Sequence, residues 1–296
     1  MAPMELIDAQ IHEVKPPVPV DETYGDDVRL LVGVEVCREA MDAVGVDAAL
    51  LFAPQDYMDA AVARYPDRFA GARTFDYAAD DVEEQVATYR DRPGMLAGRN
   101  LVANAATAEL RPEFHAGNFE RLWAAAENSD LPLFFSTHGH ADVMSAVAER
   151  YPRLTMIIDH LGLSQSPVSP PRPDPWDKLP GVLGLAKYPN VHVKFSGAPL
   201  LSREPYPHTD LWPNLHKIID AFTPDRLMWG TDFTRMRWKP GSTDLAPRER
   251  WRFYSDCLNY LRDTNELSAS DKEKLFGTTI RRVLRWPMPR SRASVP

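Results

Sequence analysis

The sequence predicts a single (β/α)8 barrel, the TIM-barrel class of α/β fold, with an extra helix at its C-terminus and one domain over residues 1–296. Two observations lead to this prediction. Short apolar segments alternate with amphipathic ones, which gives eight strand–helix units without an internal linker. Polar residues also stand where several predicted strands end, and the active sites of such barrels lie at the C-terminal ends of their strands.

The predicted strands are short and mostly apolar. Strand 2 at 46–53 is continuously apolar, and strand 7 at 191–195 alternates between apolar and polar residues. The other strands are expected at 6–14, 68–75, 95–102, 131–137, 154–159 and 227–229.

The predicted helices follow from apolar residues at helical spacing. Leu215, Ile218, Ile219 and Phe222 repeat at i, i+3, i+4 and i+7, which is typical of an amphipathic helix, and the same spacing recurs in 254–261. The other helices are expected at 34–44, 57–65, 80–90, 119–126, 141–151, 178–187 and 270–286.

Composition excludes several classes of function. The formal net charge of −8 argues against binding to nucleic acid or to an anionic membrane. The two cysteines, Cys37 and Cys257, form neither a disulfide framework nor a CxxC metal motif, which fits a reducing cytoplasm. Residues 1–7 do not resemble a signal peptide, and no apolar stretch approaches the roughly 20 residues that a membrane span needs. We therefore expect a cytoplasmic protein that acts on a small molecule.

Histidines and a carboxylate collect at the predicted strand ends. His12 follows strand 1, His138 and His140 follow strand 5, and His160 follows strand 6. Asp232 follows strand 8, and a carboxylate buried there needs a cation or a hydrogen-bond donor opposite it. Imidazole and carboxylate groups bind Zn²⁺ or a similar ion, and they also act as general acids and bases without a metal.

Four short motifs accompany these residues. They are Asp8-x-Gln10-x-His12 in strand 1, IDHLG at 158–162, PNVHVKFSG at 189–197 and GTDF at 230–233. In this order they resemble the amidohydrolase superfamily, specifically the amidohydrolase-related group of metal-dependent hydrolases and decarboxylases. The second and third motifs are most similar to the lactonase branch of that group.

This resemblance implies roles for the strand-end residues. Asp232 is expected to be the general base that activates water, and His160 to polarise a carbonyl group or to move a proton. His138 is expected to be a third catalytic residue beside the reacting group. If a metal is present, its expected ligands are His12, His138 and Asp232.

The strand-1 motif departs from the family pattern, which is His-x-His, because Gln10 stands at the first position. A neutral amide is a poor ligand for a transition metal beside imidazole. We therefore expect either no cofactor or one divalent metal, Zn²⁺ or Mn²⁺, with the metal-free site favoured. In that site Gln10 and His12 would donate hydrogen bonds to the substrate, and His160, Lys194 or an arginine would replace the metal as electrophile.

Other residues are candidates for substrate binding, and most have an ordinary structural alternative. Lys194 points either into the barrel or outwards, and His140 is either a substrate contact or a loop histidine. Arg235 is either an anion clamp or the partner of a surface acid. Trp238 is expected to form part of a substrate wall, and Ser196 is expected to contact the substrate.

Together these features predict a hydrolase that adds water to a carbonyl of a small cyclic or acidic substrate. Lactone-type C–O hydrolysis is the first expectation, and cleavage of a C–C bond flanked by carbonyls is the second. The alternatives are a metal-dependent non-oxidative decarboxylase of an aromatic or unsaturated acid, and a catalytically inactive barrel that acts as a binding protein. Proline-rich loops at 16–24 and 164–176 are expected to cover the rim as lids or rigid spacers. Exposed tryptophan and methionine in the late helices would suit a homodimer.

Overall fold

A computed structural model describes residues 4–14, 25–166, 169–235 and 253–289. Eight strands form one parallel sheet in which each strand pairs with the next along the chain. The strands are β1 Ile7–Ile11, β2 Ala48–Leu51, β3 Phe69–Thr74, β4 Met95–Leu101, β5 Leu133–Ser136, β6 Met156–Ile158, β7 Val191–Ser196 and β8 Leu227–Gly230.

The sheet closes on itself between β8 and β1. The backbone N–H of Asp232 donates to the carbonyl oxygen of Gln10 at 2.9 Å. The Asp8 carboxylate accepts the backbone N–H of Thr231 at 2.8 Å and its hydroxyl at 2.5 Å. The two strands approach closely at this seam, because a Cβ added at Gly230 would lie 3.2 Å from the backbone nitrogen of Gln10. The predicted (β/α)8 barrel is therefore confirmed.

Helices connect the strands and cover the outside of the barrel. No helix in the described ranges is long and apolar enough to cross a membrane. The helices are α1 Asp26–Val44, α2 Gln55–Arg64, α3 Val82–Thr88, α4 Pro112–His115, α5 Glu120–Asn128, α6 Met144–Arg150, α7 Leu179–Leu183, α8 Trp212–Phe222, α9 Tyr254–Arg262, α10 Ala269–Glu273 and α11 Thr279–Leu284.

Several helices differ from their predicted limits, such as α7, which ends at Leu183 and continues to Lys187 as a 3-10 helix, and two of the differences have a packing reason. Helix α1 begins well before residue 34 and contains Gly33, a weak helix former that the sequence pattern does not favour inside a helix. A side chain would not fit there, because an added Cβ would lie 2.4 Å from the carbonyl oxygen of Val14. The predicted helix at 270–286 is interrupted between α10 and α11 by a π-helical turn, Lys274–Thr278, in which Gly277 packs against the backbone of Glu5.

The C-terminal helix closes the N-terminal end of the barrel. Ile280, Leu284 and Trp286 belong to the same apolar cluster as interior residues such as Ile7 and Ala48. Trp286 is buried, so the expectation of an exposed tryptophan is wrong here, because this side chain fills the barrel end. A polar site in the barrel must therefore open at the opposite end, where the strands finish.

Strand β7 shows how the barrel separates its two layers. Val193 and Phe195 belong to the apolar layer between sheet and helices. Lys194 points the other way, and its Nζ lies 4.5 Å from the ring centroids of both Phe52 and Phe134 in the interior. Of the two orientations that the sequence leaves open for Lys194, the structure has the inward one, and the charge lies inside the barrel.

Candidate active site

Three of the predicted site residues sit in strained turns at strand ends. His138 after β5, His160 after β6 and Asp232 after β8 have φ angles of 42°, 54° and 60°. Side chains other than glycine rarely adopt this left-handed backbone, which costs of order 1–3 kcal/mol per residue. Such strain is typical of functional sites, and each of these three turns directs a polar side chain toward the barrel mouth.

Asp232 and His12 form a close pair across the β8–β1 seam. Asp232 Oδ1 lies 3.2 Å from His12 Nε2, and Asp232 is 3% exposed. Burial alone would raise the pKa of Asp232, but contact with His12 and the charges of nearby groups hold it below its usual range. The carboxylate is therefore ionised at neutral pH.

Gln10 adjoins this pair from strand β1. Its Nε2 lies 3.3 Å from the same ring nitrogen of His12. Its Oε1 is buried, with no hydrogen-bond partner among the described residues. The amide was expected to donate to a substrate, whereas the oxygen is the atom left in need of a donor.

His138 and His160 form the opposite side of the site, with their rings stacked at a centroid distance of 6.1 Å. Burial lowers the pKa of His138 to about 3 and that of His160 to about 4. Both rings are therefore uncharged at neutral pH. The His138 nitrogens each lie 2.9 Å from a serine hydroxyl, Ser136 at Nε2 and Ser169 at Nδ1.

The Ser196 hydroxyl determines which nitrogen of His160 carries the proton. Its Oγ accepts the backbone N–H of His160 at 3.3 Å and lies 3.0 Å from His160 Nδ1. Because Ser196 is fully buried, its own O–H needs an acceptor, and Nδ1 is the acceptor within reach among the described residues. The proton of the neutral imidazole then lies on Nε2, which makes that atom a donor.

A buried ionic triad, which was not predicted as a unit from the sequence, lies in the interior close to these groups. The Nε and Nη2 atoms of Arg99 each lie 2.9 Å from Asp159 Oδ2, and Lys194 Nζ lies 2.7 Å from Asp159 Oδ1. Burial would raise the pKa of Asp159, but the two cations hold it well below its usual range. Burial lowers the pKa of Lys194 to about 8 despite the opposing charge of Asp159.

The triad and the strand-end residues share one electrostatic environment. The Arg99 charge acts on the pKa of His138, His160 and Asp232 alike. At neutral pH two cations and one anion leave the triad with one net positive charge. The sequence signal for Arg99 was a single charged residue at an inward position of strand β4, next to Ala97 and Gly98.

The remaining predicted contacts lie in different places. His140 Nε2 donates to the carbonyl oxygen of Ala108 at 2.8 Å, in the loop after β4. Arg235 is exposed, and its Nη2 lies 3.0 Å from Glu13 Oε1 on the rim. Ser196 contacts His160 as described above, and Trp238 lies outside the described residues.

The predicted metal ligands do not assemble into a metal centre. Both ring nitrogens of His138 are hydrogen-bonded to serines, so neither can bind an ion without losing a bond. Across the four described ranges, no group of three or more His, Cys, Asp or Glu side chains could hold a metal ion. The positive charges of Arg99 and Lys194 would also repel a divalent cation. A divalent metal at His138 would have to displace one of these serine hydrogen bonds.

A closed eight-stranded barrel with a polar site at the C-terminal ends of its strands has the architecture of a TIM-barrel enzyme. The chain belongs to the amidohydrolase family, whose sequence model matches residues 7–286. Two relatives match shorter segments. L-fucono-1,5-lactonase from Burkholderia ambifaria is 38% identical over 100 residues, which cover 33% of this chain and 32% of the relative. The 4-sulfomuconolactone hydrolase from Hydrogenophaga intermedia is 31% identical over 106 residues, which cover 35% of this chain and 33% of the relative.

Solved structures resemble the whole barrel at lower identity. A zinc-bound amidohydrolase from Burkholderia multivorans has a TM-score of 0.71 and 18% identity, with 96% of this chain and 100% of the other covered. A 5-carboxyvanillate decarboxylase from Novosphingobium aromaticivorans, complexed with manganese, has a TM-score of 0.63 and 14% identity, with 95% and 96% covered. At these identities the likeness shows the fold, and function must be argued from the site.

Proposed function

We propose that the protein is a hydrolase that adds water to the carbonyl group of a small lactone and releases the ring-opened hydroxy acid. The observation that carries this proposal is the pairing of an ionised, buried Asp232 with an uncharged His160 across one site. One group is a proton acceptor and the other a hydrogen-bond donor, which are the two functions that carbonyl hydration needs. Two relatives that are named as lactone hydrolases support the substrate class.

The first step is the attack of water on the carbonyl carbon. Asp232 takes one proton from the water, and the buried Oε1 of Gln10 accepts a hydrogen bond from the other. The oxygen–carbon bond forms while the carbonyl π bond becomes an oxyanion. The Nε2–H of His160 donates to that oxyanion, and the net positive charge of the triad favours its negative charge.

The second step breaks the ring C–O bond. The oxyanion re-forms the carbonyl, and the ring oxygen leaves as an alkoxide. Protonated Asp232 returns its proton to this alkoxide, so the product is a hydroxy acid and the carboxylate is restored. The one proton that is transferred in this sequence is carried by Asp232, while the second proton of the water stays on the oxygen that it added, and we propose that no metal takes part.

A substrate panel tests the proposal. The purified full chain is assayed for proton release on five- and six-membered sugar lactones, and for CO₂ release on hydroxylated aromatic acids. We expect lactone opening with kcat/KM of about 10⁴ M⁻¹s⁻¹ or more on the best substrate. CO₂ release without lactone opening would replace the hydrolase with the decarboxylase alternative, and no turnover on either class would favour the inactive barrel.

A further inference from the structure

The loop after β6 touches three strand ends at once. Ser164, Gln165 and Ser169 of this loop are buried. Ser164 Oγ donates to the carbonyl oxygen of His138 at 2.6 Å, and Ser169 Oγ lies 2.9 Å from His138 Nδ1. A hydrogen bond within the loop joins two of these residues, since the backbone N–H of Ser169 donates to the carbonyl oxygen of Gln165 at 2.7 Å. The loop was expected to be a lid or a spacer over the rim, and these contacts join it to His138 in the site.

Gln165 makes the most specific contacts of the three. Its Nε2 donates to the carbonyl oxygen of His160 at 3.2 Å and to that of Ser196 at 2.9 Å. One amide group therefore uses both of its N–H bonds to join the end of β6 to the end of β7.

The chain on the β7 side leaves room for this amide. Gly197 has a φ of 70°, and a Cβ added there would lie 2.0 Å from Gln165 Oε1. A side chain at position 197 would therefore displace the glutamine. The glycine and the glutamine form a matched pair, one supplying the space that the other fills.

We propose that Gln165 is a positioning residue for His160, an inference that rests on the proposed function. By holding the two carbonyls together, the amide sets the separation of β6 and β7 at which Ser196 Oγ reaches His160 Nδ1. It also fixes the left-handed turn of His160 and Leu161, whose φ angles of 54° and 58° need an outside constraint. Gln165 thereby keeps the His160 proton on Nε2, where the carbonyl oxygen of the substrate needs it.

The test replaces Gln165 by methionine, which keeps its length and removes both donors. We expect kcat on the best lactone to fall by about 10- to 100-fold, the usual effect of removing a group that orients a ligand or catalytic side chain, with KM nearly unchanged. Imidazole ¹⁵N NMR should show His160 changing from one neutral tautomer to a mixture. The His160 signals are assigned by their absence in His160→Gln.

Matched variants separate positioning from general destabilisation. Gln85→Met removes a glutamine with two side-chain hydrogen bonds on the outer helix α3 and should change neither readout. Ser196→Ala should produce the same tautomer mixture, and the double variant Gln165→Met with Ser196→Ala should be no worse than Ser196→Ala alone. Gln165→Leu, which is apolar, smaller and without donors, replaces Gln165→Met if the latter does not fold.

An unchanged His160 tautomer in Gln165→Met would overturn the proposal, and so would strictly additive effects of the two substitutions. The NMR readout needs no substrate. If the wild-type chain opens no lactone, the proposed function fails while the tautomer experiment still decides whether Gln165 positions His160.

Discussion

The two sides of the site hold their side chains by different means. On the β1–β8 side, Asp232 and His12 face each other directly at 3.2 Å, and the carboxylate is ionised. On the β5–β6 side, His138 and His160 are uncharged and are held by serine hydroxyls. This difference matches the two roles proposed for the site. Asp232 on the charged side moves the proton, and His160 on the neutral side donates a hydrogen bond to the carbonyl.

Removing the base on the charged side should have the largest effect. Asp232→Asn keeps the shape but cannot accept the proton of water, so we predict a fall in kcat of about 10²- to 10⁴-fold on lactones. Steady-state kinetics measure it, with Asp67→Asn, an exposed aspartate, as the control. Full activity in Asp232→Asn would show that the proton acceptor lies elsewhere.

Removing the donor on the neutral side should have a somewhat smaller effect. His160→Ala deletes one hydrogen bond to the oxyanion, for which we predict a loss of about 10²- to 10³-fold in kcat. His216→Ala is the matched control, because His216 is partly exposed and its Nε2 lies 3.3 Å from Oε2 of the surface acid Glu266. A large rise in KM with kcat intact would instead make His160 a simple binding residue.

The uncharged histidines also make stability depend on pH. The pKa values of His138, His160 and His192 are lowered by burial from 6.5 to about 3, 4 and 4, so between pH 6.5 and 4 the unfolded chain binds more protons at these positions. Asp8 acts in the opposite direction, because burial raises its pKa from 3.8 to about 6, but it is one group against three. We predict that the free energy of unfolding falls by a few kcal/mol from pH 7 to pH 5, with about 2 kcal/mol from each histidine.

Urea denaturation at the two pH values measures this change. A variant in which His192 is replaced by glutamine should lose part of the pH dependence while keeping lactone hydrolysis, because His192 is the second residue of β7, at the opposite end of the strand from the site. Equal stability at pH 7 and pH 5 would mean that the histidines are charged in the folded protein.

The smallest effect is expected for a substitution of Asp8, which links β1 to the residue after β8 and so supports the Asp232 side of the site. The Asp8 carboxylate accepts hydrogen bonds from Thr231 and from the backbone N–H of Gln10 at 3.0 Å. Asp8→Asn keeps one acceptor oxygen and leaves one of these buried donors unpaired, which should lower the free energy of unfolding by about 1–3 kcal/mol. Urea denaturation of Asp8→Asn against Asp67→Asn measures it, and an equal midpoint for the two would show that the seam does not depend on this carboxylate.

The sequence predicted the residues that follow the strands, but not the contacts between residues on different strands. Asp232 and the histidines follow apolar strands directly, so their place at the barrel mouth follows from strand periodicity. The alternation of β7 left Lys194 two orientations, and only the closed barrel decides between them. The triad was not predicted, because Arg99 and Asp159 lie on β4 and at the end of β6, and only the closed barrel makes them neighbours. Gln165 was missed for a similar reason. Its partners are backbone carbonyls, which leave no trace in residue types.

The most direct test of water addition at Asp232 without a metal is lactone hydrolysis by protein from which metals have been removed with a chelator, with the metal content measured by mass spectrometry. We predict that kcat/KM of the metal-stripped wild-type protein stays within about twofold of its starting value. Loss of activity on chelation, followed by recovery with one equivalent of Zn²⁺ or Mn²⁺, would contradict the proposal that Asp232 and His160 add water to the carbonyl without a metal.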